Sequence, residues 1–450
     1  MRECIEANVQ HDLRREQSMS TLRETVHELK LAAPALAAVS AADRNRALAA
    51  MAQALADNRD RIYAANAADM EAAEAAGLKS SLVKRLKFDD SKLMACTEGL
   101  KQLAELPDPI GKVTLDRELD SGLELKRVTT PIGVIGVIFE ARPDALVQIS
   151  GLCMKSGNCA ILKGGKEAEN TNGVLFEVLR EAAAGVDAIP ENVMIRVSSH
   201  SEIDEILKLD GDVDLIIPRG SNAFVRHIMD NTKIPVMGHA DGICHIYIDA
   251  AADLEMAKTI AVDAKIQYPA ACNAVETLLI NESIAAQFLP ELVSALHDAG
   301  VKVRGDKKAA DYAAIDETFE DSSEYRREYG ELTLAVAVVK DVSEACAHIN
   351  RYGSHHTDSI ITADDAAAQY FFSMVDSAGV YRNCSTRFSD GFRYGFGAEV
   401  GISTSKLHAR GPVGLEGLTS YKYILEGSGQ RVREYAEGTK SFDFRDRQPV

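Results

Sequence analysis

The segment 133–162, GVIGVIFEARPDALVQISGLCMKSGNCAIL, holds two short apolar runs on either side of a helical stretch. Residues 133–139 have the unbroken apolar character of a strand that is buried on both faces. The spacing of apolar residues over 144–155 predicts a helix, and residues 159–162 are typical of a second buried strand. Strand, helix and strand in this order predict a parallel α/β sheet of the nucleotide-binding kind.

The same alternation continues toward the C-terminus and predicts a second α/β unit that begins near 245–249. Further strands are predicted at 193–197, 215–217, 234–236, 277–280, 334–339 and 359–361. Further helices are predicted at 167–184, 201–209, 221–231, 254–267, 284–299, 342–350 and 363–375. From Tyr381 onward Gly, Arg, Ser and Thr are dense, which predicts loops over a site.

The residues before the first strand are predicted to be helical. Ser40 followed three residues later by Asp43 is a capping-box pattern, and the Ala-rich run that follows ends at Gly77. Residues 113–128 alternate loosely, which predicts an extended ribbon with a turn at Ser121-Gly122. Residues 1–18 are polar, lack the apolar core of a signal peptide, and are expected to form a disordered extension.

Length and composition limit the class of protein. A chain of 450 residues is too long for one ordinary core, so two or three domains are expected. The net charge of −18 argues against nucleic-acid partners and anionic membranes, and no apolar run is long enough to span a bilayer. The eight cysteines have neither CxxC nor metal-ligand spacing, which favours reduced thiols in a cytoplasmic protein without a metal site.

The segment YPAACNAVETLLI contains a cysteine, Cys272, between a helical run and an apolar run. This pattern places a thiol on a turn between two regular elements, where a bound carbonyl compound can reach it. A cysteine at such a place is also commonly a buried small side chain. The local pattern leaves both interpretations open.

Two strand-to-helix turns have residues suited to a phosphate or a ribose. In KGGK, Lys163 ends a strand and Gly164 permits a close approach of the backbone before a helix. In DLIIPRGS, the residues Arg219, Gly220 and Ser221 lead into a helix whose positive end attracts a pyrophosphate. A GxGxxG fingerprint is absent, and each turn is equally consistent with an ordinary solvated or capped turn.

The chain carries, in order, PIGVIGVIFEARPD, KSGNCAILKGGKEA, DLIIPRGS, GICHIYID, YPAACNAVETLL, HINRYGSHHTDSIIT and STRFSDGFRYGFGAEVGISTSKLHARGPVGLEGLTSYKY. This series resembles the gamma-glutamyl phosphate reductases, a family within the aldehyde dehydrogenase superfamily, from about residue 19 to residue 430. The resemblance implies an aldehyde dehydrogenase-like fold with three parts. They are a Rossmann-like NADP-binding domain (19–245), a catalytic domain (246–395), and a return to the cofactor domain (396–450), which with 113–128 forms a β oligomerisation arm.

The resemblance also implies a reaction. L-Glutamyl 5-phosphate would be reduced by NADPH to L-glutamate 5-semialdehyde and phosphate, the second step of proline biosynthesis from glutamate. A homodimer or a higher homo-oligomer is expected, and an association with glutamate 5-kinase is a further expectation. The alternatives are a semialdehyde dehydrogenase of the same superfamily that uses water, and a protein that keeps the fold without catalysis.

By this resemblance Cys272 is the nucleophile: its thiolate attacks the acyl phosphate, and hydride from the nicotinamide then reduces the thioester. The resemblance implies an oxyanion site made by the backbone N–H of the nucleophile and an asparagine side chain, near whose position Arg142 falls; Asn273, beside the nucleophile, is a further candidate donor. A guanidinium at position 142 also suits the departing phosphate. The alternative for Arg142 is a structural ion pair with Glu140 or Asp144.

The resemblance assigns the VMGHADG stretch to the place where hydrolytic members carry the glutamate that activates water. Gly238 stands at that glutamate, so the thioester is expected to survive until hydride or phosphate reacts with it. His239 beside it is an alternative base.

The remaining implied residues bind the cofactor and the substrate. Lys163 would hold a ribose, and Lys166 would attract the 2′-phosphate of NADPH, although a surface lysine fits the same place. Arg219 and Ser221 would line the pyrophosphate or adenosine side, and Glu328 would hold the nicotinamide ribose. The candidates for the substrate phosphate, carboxylate and ammonium groups are Arg387, Ser385, Ser403, Thr404, His408 and Arg410.

Overall fold

The computed structural model describes residues 21–140, 142–238 and 241–447. The predicted extension at 1–18 and the alternative base His239 lie outside the described residues. Its helices are α1 (21–38), α2 (Ala41–Asp57), α3 (Arg59–Ala75), α4 (Ser80–Leu86), α5 (Asp90–Glu105), α6 (Pro143–Lys155), α7 (Glu169–Ala184), α8 (His200–Ile206), α9 (Asn222–Asp230), α10 (Leu254–Ile266), α11 (Glu282–Asp298), α12 (Lys307–Ala310), α13 (Val342–Tyr352), α14 (Asp365–Met374) and α15 (Val432–Ala436).

Its strands are β1 (Val113–Asp120), β2 (Leu123–Pro131), β3 (Val134–Phe139), β4 (Cys159–Lys163), β5 (Met194–Val197), β6 (Leu215–Arg219), β7 (Cys244–Ile248), β8 (Val275–Asn281), β9 (Lys302–Gly305), β10 (Glu317–Thr318), β11 (Thr333–Val339), β12 (Thr357–Ile361), β13 (Gly379–Arg382), β14 (Gly401–Ser403), β15 (Gly411–Val413), β16 (Thr419–Glu426) and β17 (Arg445–Arg447). Short 3-10 helices lie at Lys166–Ala168, Ser322–Arg326, Thr386–Phe388 and Glu416–Leu418.

The first sheet is parallel and has the order β5-β4-β3-β6. Every residue of β3 and β4 is buried, as the unbroken apolar runs predict. The predicted strand at 234–236 is wrong: only an isolated bridge joins Val236 to Ile216 of β6. Pro235 lacks a backbone N–H, so it accepts from the Ile216 amide at 2.9 Å but cannot donate to a ladder.

The second sheet is also parallel and has the order β10-β9-β11-β8-β7-β12-β13. The predicted strands that became β7, β8, β11 and β12 form its centre, and each is buried throughout. Sequence analysis missed the peripheral strands β9, β10 and β13, which are two to four residues long. Runs this short carry too few residues for a periodic signal.

The third sheet is antiparallel, has the order β16-β2-β1-β17, and is called the arm sheet below. The predicted ribbon forms β1 and β2, and Gly122 adopts the positive φ of +71° at its turn. The C-terminal segment adds a strand on each side, and β16 is exposed over all but its first residue.

The core of the first sheet includes residues of the N-terminal helices and of the C-terminal region. The Oγ of Ser40 accepts from the Asp43 amide at 3.1 Å and caps α2, as the sequence predicts. Val400, Val413 and Leu418 return from the C-terminal region to the core built on β3 and β4. Within the described ranges, the structure has no helix with both the length and the apolar character to cross a membrane.

Candidate functional site

A cleft of about 890 Å³ lies between the first and second sheets. Lys163 and Arg219 end β4 and β6 of the first sheet, whereas Cys272 precedes β8 of the second. The carboxyl ends of one parallel sheet therefore face the amino ends of the other. The predicted site residues that line the cleft are Arg142, Lys163, Lys166, Arg219, Gly220, Ser221, Gly238, Cys272, Asn273, Glu328 and Arg387.

Cys272 lies on the loop that joins α10 to β8, the turn between helix and strand that the sequence predicts. Its side chain is partly exposed to the cleft. An ion pair closes the base of this loop: the Nζ of Lys265 lies 2.8 Å from the Oε2 of Glu276, and both side chains are fully buried. Burial raises the pKa of Glu276 to about 7 and lowers the pKa of Lys265. The loop is thus fixed at both ends.

The buried ring of His356 lies behind the thiol, with its Nε2 3.3 Å from the Sγ of Cys272. On its other side, Nδ1 lies 3.0 Å from the Thr357 hydroxyl and 3.7 Å from the Sγ of Cys244. His356 belongs to the HINRYGSHHTDSIIT motif and is not among the predicted site residues. A histidine pair directly before a buried strand was the available signal.

A second missed residue is Gly242, which packs against the backbone of Cys272. It is the first residue of the GICHIYID motif and lies in the stretch between the first sheet and β7. A glycine that is required because another backbone leaves no room for a side chain gives only a weak sequence signal. Loops contain many glycines for other reasons.

Three arginines, Arg142, Arg219 and Arg387, line the same cleft as the thiol. Burial lowers the pKa of Arg219, and the positive charge of Arg142 lowers it further, whereas Glu399 and Cys272 act in the opposite direction. The carboxylates proposed as ion-pair partners of Arg142 are engaged elsewhere in the described chain, Asp144 with Lys92 at 3.2 Å.

Arg387 is 8% exposed, and its Nε donates to the Oε1 of Gln267 at 2.9 Å. Burial lowers the pKa of Arg387 and the charge of Arg393 adds to this effect. Its guanidinium also lies over the ring of Tyr268, 5.9 Å from the centroid. Both partners belong to the loop that carries the thiol, so Arg387 is held toward the thiol end of the cleft.

Asn273 anchors the loop to the segment that carries Arg387. Its Nδ2 donates to the Ser389 carbonyl at 2.8 Å, and the backbone carbonyl of Asn273 accepts from the Thr386 hydroxyl at 2.7 Å. Its Oδ1 is buried without a partner among the described residues. One N–H of the amide is therefore used for structure.

The other half of the cleft carries the predicted cofactor residues. Lys163 is 3% exposed, its Nζ donates to the Gly164 carbonyl at 2.6 Å, and burial lowers the pKa of its ammonium. Lys166 is exposed at the start of a 3-10 helix. Gly164 is not among the lining residues: a Cβ there would meet the Asn172 side chain, so its small size serves packing.

The α9 end of the cleft differs from the simple anion site that the sequence suggests. The Oε2 of Glu140 accepts from the Ser221 amide at 2.9 Å. A carboxylate therefore already binds one of the backbone N–H groups at the N-terminus of α9. Across the cleft, the Nδ2 of Asn222 donates to the Oε2 of Glu328 at 2.6 Å and to Asp241 at 2.9 Å. These bonds join α9 to the second sheet's unit.

Of the six predicted substrate residues, only Arg387 lines the cleft in the described chain, and five do not: Ser385, Ser403, Thr404, His408 and Arg410. Arg410 pairs with Asp376 at 3.1 Å, and the Nε2 of His408 lies 3.0 Å from the Thr419 carbonyl oxygen. Ser385 accepts from the Arg387 amide at 3.4 Å at the start of a 3-10 helix. These partners give Arg410, His408 and Ser385 structural positions.

Comparison with known proteins adds independent evidence. The model of the aldehyde dehydrogenase family matches residues 13–319. The gamma-glutamyl phosphate reductase of Synechococcus elongatus is 56% identical over 419 residues, 93% of this chain and 96% of that protein. The gamma-glutamyl phosphate reductase of Acetivibrio thermocellus is 53% identical over 422 residues, 94% of this chain and 97% of that protein.

The crystal structure of the gamma-glutamyl phosphate reductase of Thermotoga maritima superposes with a TM-score of 0.88 at 38% identity. The superposition covers 91% of this chain and 99% of that one. The predicted aldehyde dehydrogenase-like α/β fold is therefore confirmed. The chain belongs to the gamma-glutamyl phosphate reductases, oxidoreductases of the aldehyde dehydrogenase family.

Proposed function

We propose that this chain reduces L-glutamyl 5-phosphate to L-glutamate 5-semialdehyde with NADPH, through a thioester on Cys272. The observation that carries the proposal is the meeting of a partly exposed thiol with Arg142, Arg219 and Arg387 in one cleft. A thiol suits covalent capture of an acyl group, and guanidinium groups suit a phosphate leaving group and a carboxylate.

Arg142 and Arg219 are the proposed site of the substrate phosphate. Like charges at short range disfavour each other unless an anion joins them, and a phosphate dianion removes that cost. Their position beside the thiol supports this assignment for Arg219 in place of the pyrophosphate that the sequence suggested. Arg387, at the loop of Cys272, is the proposed partner of the substrate α-carboxylate.

The proposal that position 238 carries no base to activate water rests on Gly238. It lines the cleft with Cys272 and offers no side chain to activate water. An acyl thioester then reacts with hydride or with phosphate. The hydrolytic alternative requires a base at this position, and Gly238 argues against it.

The cofactor is proposed to lie in the half of the cleft that holds Lys163, Lys166, Gly220, Ser221 and Glu328. When bound, the nicotinamide supplies the hydride that reduces the thioester. The buried ammonium of Lys163 suits a ribose hydroxyl, and the carboxylate of Glu328 suits a second one. The exposed ammonium of Lys166 suits a 2′-phosphate, which favours NADPH over NADH.

We also propose that the arm sheet contacts a second copy of the chain. Tyr421, Tyr423 and Leu425 of β16 are 54–58% exposed, and β16 is an edge strand of the arm sheet. An exposed apolar edge strand is commonly covered in an assembly. Sedimentation analysis tests the assembly, since a purely monomeric protein would contradict it.

The cytoplasmic location and the association with glutamate 5-kinase stay predictions.

The reaction is tested in its reverse direction with glutamate 5-semialdehyde, NADP and phosphate. The wild-type protein is expected to form NADPH only when phosphate is present. Cys272→Ala is expected to abolish this turnover, and Cys384→Ala, which changes a second partly exposed thiol, is expected to keep it. Turnover without phosphate would favour the hydrolytic alternative, and turnover by Cys272→Ala would exclude the thioester.

A further inference from the structure

We propose that His356 is the group that takes the proton from the Cys272 thiol, so that the two form a thiolate–imidazolium pair before the acyl group is attacked. The inference rests on the proposed function and adds a catalytic residue to it. The Nε2 of His356 lies 3.3 Å from the Sγ of Cys272, which is hydrogen-bonding distance for sulfur. The imidazole is fully buried and therefore held in one place by its surroundings.

The order of strands brings these residues together. In the second sheet β7 lies between β8 and β12, and Cys244, Cys272 and His356 all lie at or just before the amino ends of these strands. Cys272 and His356 are 84 positions apart in the sequence, and their contact depends on this topology.

The neighbours of Nδ1 can accept its hydrogen, which suits Nε2 as the nitrogen that receives the proton. The Cys244 thiol donates to the Cys272 carbonyl at 3.4 Å, so its sulfur is left to accept from Nδ1, 3.7 Å away. The Thr357 hydroxyl oxygen, at 3.0 Å, is a second acceptor for the same N–H. With the hydrogen on Nδ1, the lone pair of Nε2 points at the Cys272 thiol.

Burial raises the pKa of the Cys244 thiol well above its ordinary value, so Cys244 remains protonated and does not compete for the proton. The nearest carboxylate in the sequence, Asp358, is turned to other groups: its Oδ1 lies 3.0 Å from the Nδ1 of His245, and its Oδ2 accepts from Ser377 at 2.5 Å. The charged groups around the pair also include Arg219 and Arg387 on the cleft side.

The proton balance follows from this geometry. The S–H bond of Cys272 breaks and an N–H bond forms on His356 Nε2, after which the thiolate sulfur bonds to the acyl carbon. The C–O bond to phosphate breaks, and the departing phosphate takes up one proton, so the imidazolium can return to the neutral state. The thioester would then be reduced by hydride that a bound nicotinamide would supply, and the C–S bond would break with the sulfur leaving as a thiolate. One proton is consumed in each turnover.

The test measures the thiol without requiring the reaction. Alkylation of Cys272 by iodoacetamide is followed by mass spectrometry from pH 5 to pH 10 in the wild type, His356→Asn and His355→Asn. His355 is the matched control, because its ring is turned to the Asp376 carbonyl at 2.6 Å and its φ of +61° suits asparagine. We expect the midpoint of the alkylation profile to rise by at least about one pH unit in His356→Asn, with about tenfold slower alkylation at pH 7. We expect no change in His355→Asn.

An unchanged alkylation profile in folded His356→Asn overturns the proposal, even if turnover falls. If His356→Asn does not fold, the wild-type profile decides: a midpoint at or above about pH 8.5, where an unperturbed thiol titrates, overturns the proposal, and a lower one supports it. The reverse assay on the wild type tests the proposed function separately, because alkylation needs neither substrate nor cofactor.

Discussion

Gly242 lies directly behind Cys272: a Cβ added to Gly242 would stand 2.5 Å from the Cα of Cys272 and 2.6 Å from its Cβ. These distances are far inside van der Waals contact, and the atoms met are mostly backbone, which cannot rotate away. Any larger residue at position 242 must therefore move the loop that carries the thiol. The Lys265–Glu276 ion pair holds the ends of that loop, so the displacement falls on its middle.

Gly242→Ala is accordingly expected to lower kcat/KM by about 100-fold, since a displacement near 1 Å at a reacting atom has an effect of that order. Steady-state kinetics of the reverse reaction measure it. Gly99→Ala, in the interior of α5 with nothing within 4 Å of the added Cβ, is the control. It is expected to keep full activity and to gain roughly 0.5–1 kcal/mol in unfolding free energy. Equal kinetics in both variants would show that Gly242 does not position the thiol.

Gly238→Glu is expected to create oxidation of the semialdehyde that does not need phosphate. The three atoms nearest to a Cβ at Gly238 all belong to Pro218, at 3.6 Å or more, so the first atom of the side chain fits. The carboxylate would then lie in the cleft with Cys272 and can activate water against the thioester. NADPH formation without phosphate, together with glutamate as the product, measures the gain.

Gly238→Gln is the control for this change because glutamine has nearly the same shape and cannot act as a base. The double change Gly238→Glu with Cys272→Ala should lose the new activity. Equal phosphate-independent rates with Glu and Gln at position 238 would contradict the role proposed for this position.

Lys166→Glu is expected to shift cofactor preference from NADP toward NAD. An ammonium attracts the 2′-phosphate and a carboxylate repels it, and a charge-assisted hydrogen bond of about 1.5–3 kcal/mol corresponds to about 10- to 100-fold in the ratio of kcat/KM values. Lys101→Glu makes the same charge change on the exposed side of α5, away from the cleft. A ratio that changes equally in both variants would remove Lys166 from the cofactor site.

His348 is expected to weaken the fold in acid. Burial lowers the pKa of its imidazole to about 3, with a smaller effect from His245, so the folded protein keeps it neutral. The unfolded chain binds a proton below about pH 6.5, so the contribution to stability is present above that pH and is lost as the pH falls toward 3. At pH 5 the loss is about 2 kcal/mol.

His348→Phe removes the titration and also the buried Nε2, which has no partner among the described residues. Urea unfolding at pH 7.5 and pH 5.0 should therefore show a smaller loss in His348→Phe than in the wild type. His227→Phe, at an exposed position on α9, should lose as much as the wild type. The same loss in all three proteins would contradict the prediction.

The sequence was sufficient for those features that short stretches encode. The buried runs of β3, β4, β7 and β8 have apolar character within five to seven residues, and the Ser40 cap lies within one turn of its helix. The long motifs around Cys272 also sufficed for the family, because many residues match in order. Pro235 shows the limit of such patterns, since an apolar run suggested a strand where a proline permits only one bridge.

The site depended on the tertiary structure. Arg410 looked equivalent to Arg387 in the sequence, but Arg410 pairs with Asp376 while Arg387 reaches the cleft. Glu140 had no predicted contact with α9, yet its carboxylate accepts from the Ser221 amide. Such differences arise from side-chain direction and from the partners that packing supplies, which a local pattern does not contain.

Cys272 shows most clearly which features the sequence determines and which features only the tertiary structure decides. The sequence alone determined that Cys272 lies on a turn between a helix and a buried strand, because both neighbours have local periodic signals. Only the strand order β8-β7-β12 decided that His356 lies 3.3 Å from its sulfur and that Gly242 packs behind its backbone. Contacts between distant segments depend on how the sheet is assembled, and the assembly is driven by burial of the whole core.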